Sequence, residues 1–180
     1  MQWRTFFWEE LWPALDSRYG LEASCTFIDG LSMGGHGAMN LFLDHPDRFR
    51  GAGSMSGVLV LRYTGSSKQL IPSILGVASI EDPLCLAESA IGRLERLTGG
   101  DLSVAGGDKL SVADGGKLIV VSCGTEDYLL RASEEFVARC QALGIPCSAF
   151  YTPGAHTWPY WVDVLPQHLS LFSAALEGND

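Results

Sequence analysis

Ser24-Cys25-Thr26-Phe27-Ile28-Asp29-Gly30-Leu31-Ser32-Met33-Gly34-Gly35-His36-Gly37-Ala38 is the stretch on which the fold turns. Ser24 to Ile28 reads as a short strand, the glycine-rich segment as a sharp turn, and a helical pattern then runs through Asp44. Side chains at the flanks of so tight a turn are expected to clash, which requires Gly30 and Gly34, while Gly35, Gly37 and Ala38 let the helix approach the sheet closely. A turn of this kind lifts the Ser32 hydroxyl above the strand ends, where ligands of parallel sheets bind. Glycine, any, serine, any, glycine recurs by chance in many chains; its position between a strand and a helix gives it meaning here.

Working outward, Trp3, Phe6, Phe7, Leu11 and Leu15 fall near helical spacing, with Pro13 as an irregularity and Tyr19-Gly20 as a stop. On the other side, His45-Pro46 breaks the helix, since a residue before proline is pushed out of the helical region. A second strand is expected over Gly51 to Ser56. Lys117 to Cys123 is a β-branched run typical of a strand buried on both faces. Ala132 to Leu143 presents Phe136, Val137, Cys140 and Leu143 on one face and stops at Gly144. Ile145 to Tyr151 follows as a last strand, and a helix carrying Trp158, Trp161, Leu165, Leu169 and Phe172 closes the chain. Strands alternating with helices predict an α/β fold, a mostly parallel sheet with helices on both faces. The stretch from 58 to 116 is the least regular, with one amphipathic piece from Leu84 to Leu97. It also holds a near-duplicate, residues 102–109 against 110–117, that reads as a slipped duplication in a surface loop.

At 180 residues, 47% hydrophobic and 18% charged, the chain has the make-up of one domain with a sizeable core. A formal net charge of −9 argues against nucleic acid or an anionic membrane as partner, because both repel an acidic surface. Five cysteines, at 25, 85, 123, 140 and 147, lack the spacing of a disulfide framework or a zinc site, and reduced thiols are expected. There is no apolar run of about 18 residues, and Glu9-Glu10 sit where a signal peptide needs an apolar stretch, so a cytoplasmic location is the expectation.

A serine hydroxyl attacks a carbonyl only when a base takes its proton and an acid holds that base in the right tautomer. His156 follows the last strand in a Pro-Gly-Ala loop that can carry it over the turn at Ser32, and is the expected base. His45 ends a helix as a surface cap, and His168 lies within the final helix in a packed or solvated role. For the acid, Asp127 and Glu126 both stand just past the Leu118 to Cys123 strand, and Asp29 adjoins the turn itself, where it also suits a turn-capping role. The oxyanion of a tetrahedral intermediate is expected at the backbone N–H of Met33, at the positive end of the following helix. Trp158 and Tyr160 near the base could line an acyl or aromatic pocket; Trp161 suits packing equally well.

With these residues placed, the chain resembles the esterase family of α/β-hydrolases that includes esterase D (S-formylglutathione hydrolase), tributyrin-type esterases, feruloyl esterase domains and mycolyltransferases. The likeness is carried by Gly30-Leu31-Ser32-Met33-Gly34-Gly35-His36-Gly37-Ala38, His45-Pro46-Asp47-Arg48-Phe49, Ser54-Met55-Ser56-Gly57, Gly124-Thr125-Glu126-Asp127-Tyr128 and Gly154-Ala155-His156-Thr157-Trp158-Pro159-Tyr160-Trp161. Residues 58 to 116 match poorly, as an insertion in a single domain over residues 1–180. The resemblance places the acid on Asp127, and it implies a C-terminal portion of the α/β-hydrolase fold, its first strands and second oxyanion donor missing. An open sheet edge could then pair with another copy.

The function the resemblance implies is cleavage of carboxylic esters through a Ser32–His156–Asp127 triad and an acyl-enzyme, with a small-molecule ester as substrate and neither metal nor cofactor. A thioesterase acting on S-formylglutathione, or an acyltransferase acting on a sugar, uses the same triad. A binding remnant without activity is the alternative from another class.

Overall fold

The computed structural model describes residues 3–63, 69–94, 97 and 116–177. Its centre is a sheet of four parallel strands in the order β1-β2-β3-β4, with β1 at Phe27–Ile28, β2 at Gly51–Met55, β3 at Leu118–Gly124 and β4 at Cys147–Thr152. The two inner strands are buried almost throughout, as their small and β-branched residues predict. The outer strand β1 is shorter than the expected Ser24 to Ile28, pairing with β2 at Phe27 and Ile28.

The N-terminal helical run is continuous but changes pitch. α1, Trp3–Phe6, passes into a π-helical turn at Phe7–Leu11 and then into α2, Trp12–Tyr19, which ends at Gly20 with φ of 62°. Pro13 supplies the reason: it has no N–H to donate and its ring crowds the carbonyl one turn back, so the ladder widens just before it and the Trp12 N–H reaches back to the Phe7 oxygen.

α3, Met33–Asp44, and α7, Leu130–Ala142, cover one face of the sheet. Met39, Phe42, Phe49, Ala52, Ile119, Val121, Phe136 and Trp12 form the main core between them and the N-terminal helices. α8, Trp158–Glu177, covers the opposite face, packing Tyr160, Trp161 and Val164 on Met55. Of the apolar residues the sequence places on this helix, Trp161 and Phe172 are buried. Leu165 and Leu169 point to solvent, and Val164 and His168 are buried in their place. Asp163, Gln167, Ser170 and Glu177 form an exposed polar stripe, but Val162, Leu165 and Leu169 beside it are exposed as well, so apolar composition alone does not bound the inward face; the polar partners of His168 do.

Between β2 and β3 lie α4, Leu70–Leu75, α5, Pro83–Glu88, and α6, Ala90–Arg93. The expected single piece from Leu84 to Leu97 is bent at Ser89, whose hydroxyl donates to the Cys85 carbonyl at 2.7 Å and accepts the Leu61 N–H at 3.1 Å. The Arg93 guanidinium, 2% exposed, pairs with Asp44 and with Glu88 at 2.6 Å, and Arg4 reaches the same two carboxylates at 3.3 and 3.1 Å. One ionic knot thereby fastens the N-terminal helix and the 70–94 segment to the end of α3. Most of the duplicated segment at 102–117 lies outside the described residues. All five cysteines are free, and no helix among the described residues is long and apolar enough to cross a membrane.

Candidate active site

The turn after β1 is held from several sides. The Ser32 N–H donates to the Met55 carbonyl at 2.9 Å and the Met55 N–H to the Gly30 carbonyl at 2.9 Å. Between these bonds Ser32 adopts φ 52° and ψ −120°, a backbone region that side chains rarely occupy. Strain held by surrounding bonds is the mark of a residue presented rather than merely packed.

Which glycines the turn needs differs from the sequence expectation. A Cβ on Gly30 would lie 2.4 Å from the Gly34 backbone, and one on Gly35 would lie 2.6 Å from the Ser54 hydroxyl. Nothing lies within 4 Å of a Cβ on Gly34 or Gly37. Contact with the sheet is made at the third residue of α3, so Gly35 permits the close approach, while Gly34 and Gly37 face outward.

The Ser32 Oγ is 2.8 Å from His156 Nε2, across 124 positions of sequence. On the far side of the ring, Nδ1 is 2.9 Å from Asp127 Oδ2 and 3.1 Å from Oδ1. A carboxylate can only accept, so Nδ1–H donates to it and Nε2 is left with its lone pair toward the serine hydroxyl. The Asp127 side chain has no exposed surface, and its Oδ1 also accepts the Leu129 N–H at 2.9 Å. Burial and the neighbouring Asp127 charge push the Cys123 thiol up to about 11.

Of the three acid candidates, the structure brings Asp127 to His156. Glu126 is exposed, and Asp29 turns inward to His168. Asp29 does cap the turn, its Oδ1 accepting the Gly30 N–H at 2.7 Å. His45 is exposed at the end of α3, its ring 4.4 Å from that of Trp8.

Met33 opens α3, where a backbone N–H has no acceptor within its own helix, and its side chain is 78% exposed. The two aromatics expected near the base part company. Trp158 stands open at 67% exposure, edge-on to Trp161 at 5.3 Å. Tyr160 is 4% exposed, packed on Gly154, where a Cβ would lie 2.5 Å from its ring. That burial makes Tyr160 a support for the histidine loop and not an exposed pocket wall.

Sequence reasoning missed the residues that hold the ring and the turn. Tyr128 and Trp161 flank His156 at 4.8 and 4.9 Å between ring centroids, limiting its rotation. His36 lies within the motif itself. Its Nδ1 is 2.9 Å from the Val58 carbonyl and its Nε2 is 2.9 Å from Asn40 Nδ2, which fixes a neutral tautomer and ties α3 to the backbone after β2. Burial pushes its pKa below 6.5. The helical interval between His36 and Asn40 was the available signal.

A family model described as "Putative esterase" matches residues 1–172. Over 77 residues the chain is 38% identical to the diacylglycerol acyltransferase/mycolyltransferase Ag85B of Mycobacterium avium, a stretch covering 43% of this chain and 22% of that protein. Over 58 residues it is 48% identical to the MPT51/MPB51 antigen of Mycobacterium bovis, 32% of this chain and 19% of that one. A solved ferulic acid esterase superposes with a TM-score of 0.71 at 27% identity, covering 96% of this chain and 60% of its own. An S-formylglutathione hydrolase from Agrobacterium tumefaciens gives 0.65 at 20% identity, covering 95% and 57%. This chain therefore spans less than two thirds of the length of these relatives. A parallel sheet with a strained serine in the turn between its first strand and the following helix, in a chain that the family model matches over nearly its whole length, places the chain in this esterase family, on an α/β-hydrolase fold.

Proposed function

We propose that the chain hydrolyses carboxylic esters through an acyl-enzyme on Ser32. The observation that carries this reading is the unbroken line from Ser32 Oγ through His156 to Asp127, at 2.8 and 2.9 Å. The Ser32 oxygen forms a bond to the acyl carbon while its proton passes to His156 Nε2. The resulting imidazolium is stabilised by Asp127 and returns that proton to the leaving alkoxide as the carbon–oxygen bond breaks. Water, deprotonated by the same nitrogen, then attacks the acyl-enzyme, and the acid leaves as Ser32 recovers its proton. The Met33 N–H, at the start of α3, faces the developing oxyanion; such a donor is worth about two to three orders of magnitude in rate. Trp158 offers an open apolar surface beside the base.

A fluorophosphonate probe is expected to label the purified chain at Ser32, and Ser32→Ala is expected to abolish both labelling and turnover of short p-nitrophenyl esters. Asp127→Asn is expected to lower kcat by about four orders of magnitude, because it favours the wrong histidine tautomer. Labelling that persists in Ser32→Ala, or an unlabelled wild-type chain, overturns the proposal. Likeness to acyltransferases supports transfer to an alcohol as the second outcome. Ester formed from an added acceptor, in place of free acid, distinguishes it.

A further inference from the structure

The three chain segments that carry Ser32, Asp127 and His156 meet a second time, through Asp29, Ser122 and His168. Asp29 precedes the turn at Ser32, Ser122 lies on β3, which leads to Asp127, and His168 lies on α8, which follows the His156 loop. His168 Nε2 is 2.8 Å from Ser122 Oγ, and its Nδ1 is 2.9 Å from Asp29 Oδ2. Ser122 and His168 are fully buried, with the imidazole edge-on to Phe150 and Phe172 at 5.6 and 6.2 Å. The distances match those of the first line, but no solvent reaches this serine. Space for the arrangement comes from Gly53 on β2, where a Cβ would lie 2.5 Å from Asp29 Oδ1 and 2.8 Å from His168 Nδ1.

Donor and acceptor roles follow from the carboxylate. Asp29 can only accept, so it takes the His168 Nδ1–H on one oxygen and the Gly30 N–H on the other, the latter at 2.7 Å. His168 Nε2 then accepts the Ser122 hydroxyl. Gly30 in turn offers its carbonyl to Met55, whose own carbonyl holds the Ser32 N–H. The buried line is thus continuous with the bonds that keep Ser32 in its strained conformation.

We infer that Asp29 and His168 are positioning residues for the nucleophile: they lock the turn at Gly30 to α8 and β3, so that Ser32 and its base keep one relative position. This inference rests on the proposed role of Ser32. Misplacement of reacting groups by about an ångström costs up to about a hundredfold, and Asp29→Ala is expected to lower kcat by between about ten- and a hundredfold. KM should stay within about twofold, since no group that binds substrate is removed. Asp29→Asn is expected to rescue. Its oxygen still accepts the Gly30 N–H, and its amide donates to the other His168 tautomer, whose Nε2–H then donates to Ser122.

The test compares kcat and KM of wild type, Asp29→Ala and Asp29→Asn, together with amide hydrogen exchange at Gly30 and Ser32. Faster exchange and lower kcat in Asp29→Ala, both restored in Asp29→Asn, support the inference. Equal impairment in the two variants, or no loss in either, overturns it. Should Asp29→Ala fail to fold, Ser122→Ala removes the far end of the line alone and takes its place, with lower kcat and faster exchange again as support and wild-type values as refutation. If the wild-type chain itself is not labelled by fluorophosphonate, the proposed function fails, and the exchange comparison still decides whether the buried line holds the turn.

Discussion

Ser32 holds a strained backbone conformation, and replacing it in two ways isolates that strain. Ser32→Ala and Ser32→Gly both delete the hydroxyl and its contact with His156, so that loss cancels between them. They differ in the backbone. At φ 52° and ψ −120° a residue with a Cβ is strained by about 1–3 kcal/mol, and glycine is not. Glycine also loosens the unfolded chain, which offsets about 0.4–1 kcal/mol of that relief. The balance leaves Ser32→Gly more stable than Ser32→Ala by about 1 kcal/mol, or about 2–4 °C in Tm for a chain of this size. Urea and thermal melts of the two purified variants measure it. A Ser32→Gly chain no more stable than Ser32→Ala would refute the claim that the turn stores strain at the serine.

The glycines of α3 should sort by contact and not by their place in the motif. Gly35→Ala meets the Ser54 hydroxyl and the Gly30 carbonyl and is expected to destabilise by about 1–2 kcal/mol, the overpacking outweighing the gain in helix propensity. Gly37→Ala, open to solvent, should stabilise by up to about 1 kcal/mol; denaturant midpoints with the same sign for both would contradict the packing described. The half-buried His36 has a folded-state pKa lowered from 6.5 by desolvation, so the unfolded chain binds the extra proton first and stability must fall as pH drops below about 6.5. Melts from about pH 7.5 to about pH 5 should show that decline, and His36→Gln should flatten it; an unchanged slope would show that His36 is not its source.

The turn at Ser32 was legible because its signal is local: glycines, a serine and the switch from a strand to a helical pattern all lie within one short stretch. The alternation of strands and helices was legible for the same reason. Where the outcome depended on distant partners, sequence was silent. Asp29 read as a turn cap, and it is one, but its second oxygen meets His168 from 139 positions away, and no spacing rule reaches that far. The inward face of α8 is not set by composition, because Leu165 and Leu169 are as apolar as Val164, while the buried position of His168 depends on Ser122 and Asp29. Gly34 looked indispensable from its motif and proved open, because the approach of helix to sheet is set by which side of α3 faces Ser54. Pro13 announced an irregularity, and its form, a widened turn ahead of the ring, follows from the carbonyl it must clear.

The seam between β2 and β3 divides the two chain spans that the line from Ser32 through His156 to Asp127 must close. Asp127 and His156 are separated by 29 positions and sit on one side of it, whereas Ser32 and His156 are separated by 124 and face each other across it. Closing the longer span costs about 1.3 kcal/mol more in chain entropy, which favours pairing of Asp127 with His156 ahead of Ser32. A chain caught between these two closures would hold the His156 imidazole against Asp127 with no serine hydroxyl beside it. With Ser32 as the nucleophile proposed above, its labelling by a fluorophosphonate would serve as a clock for the completion of the sheet.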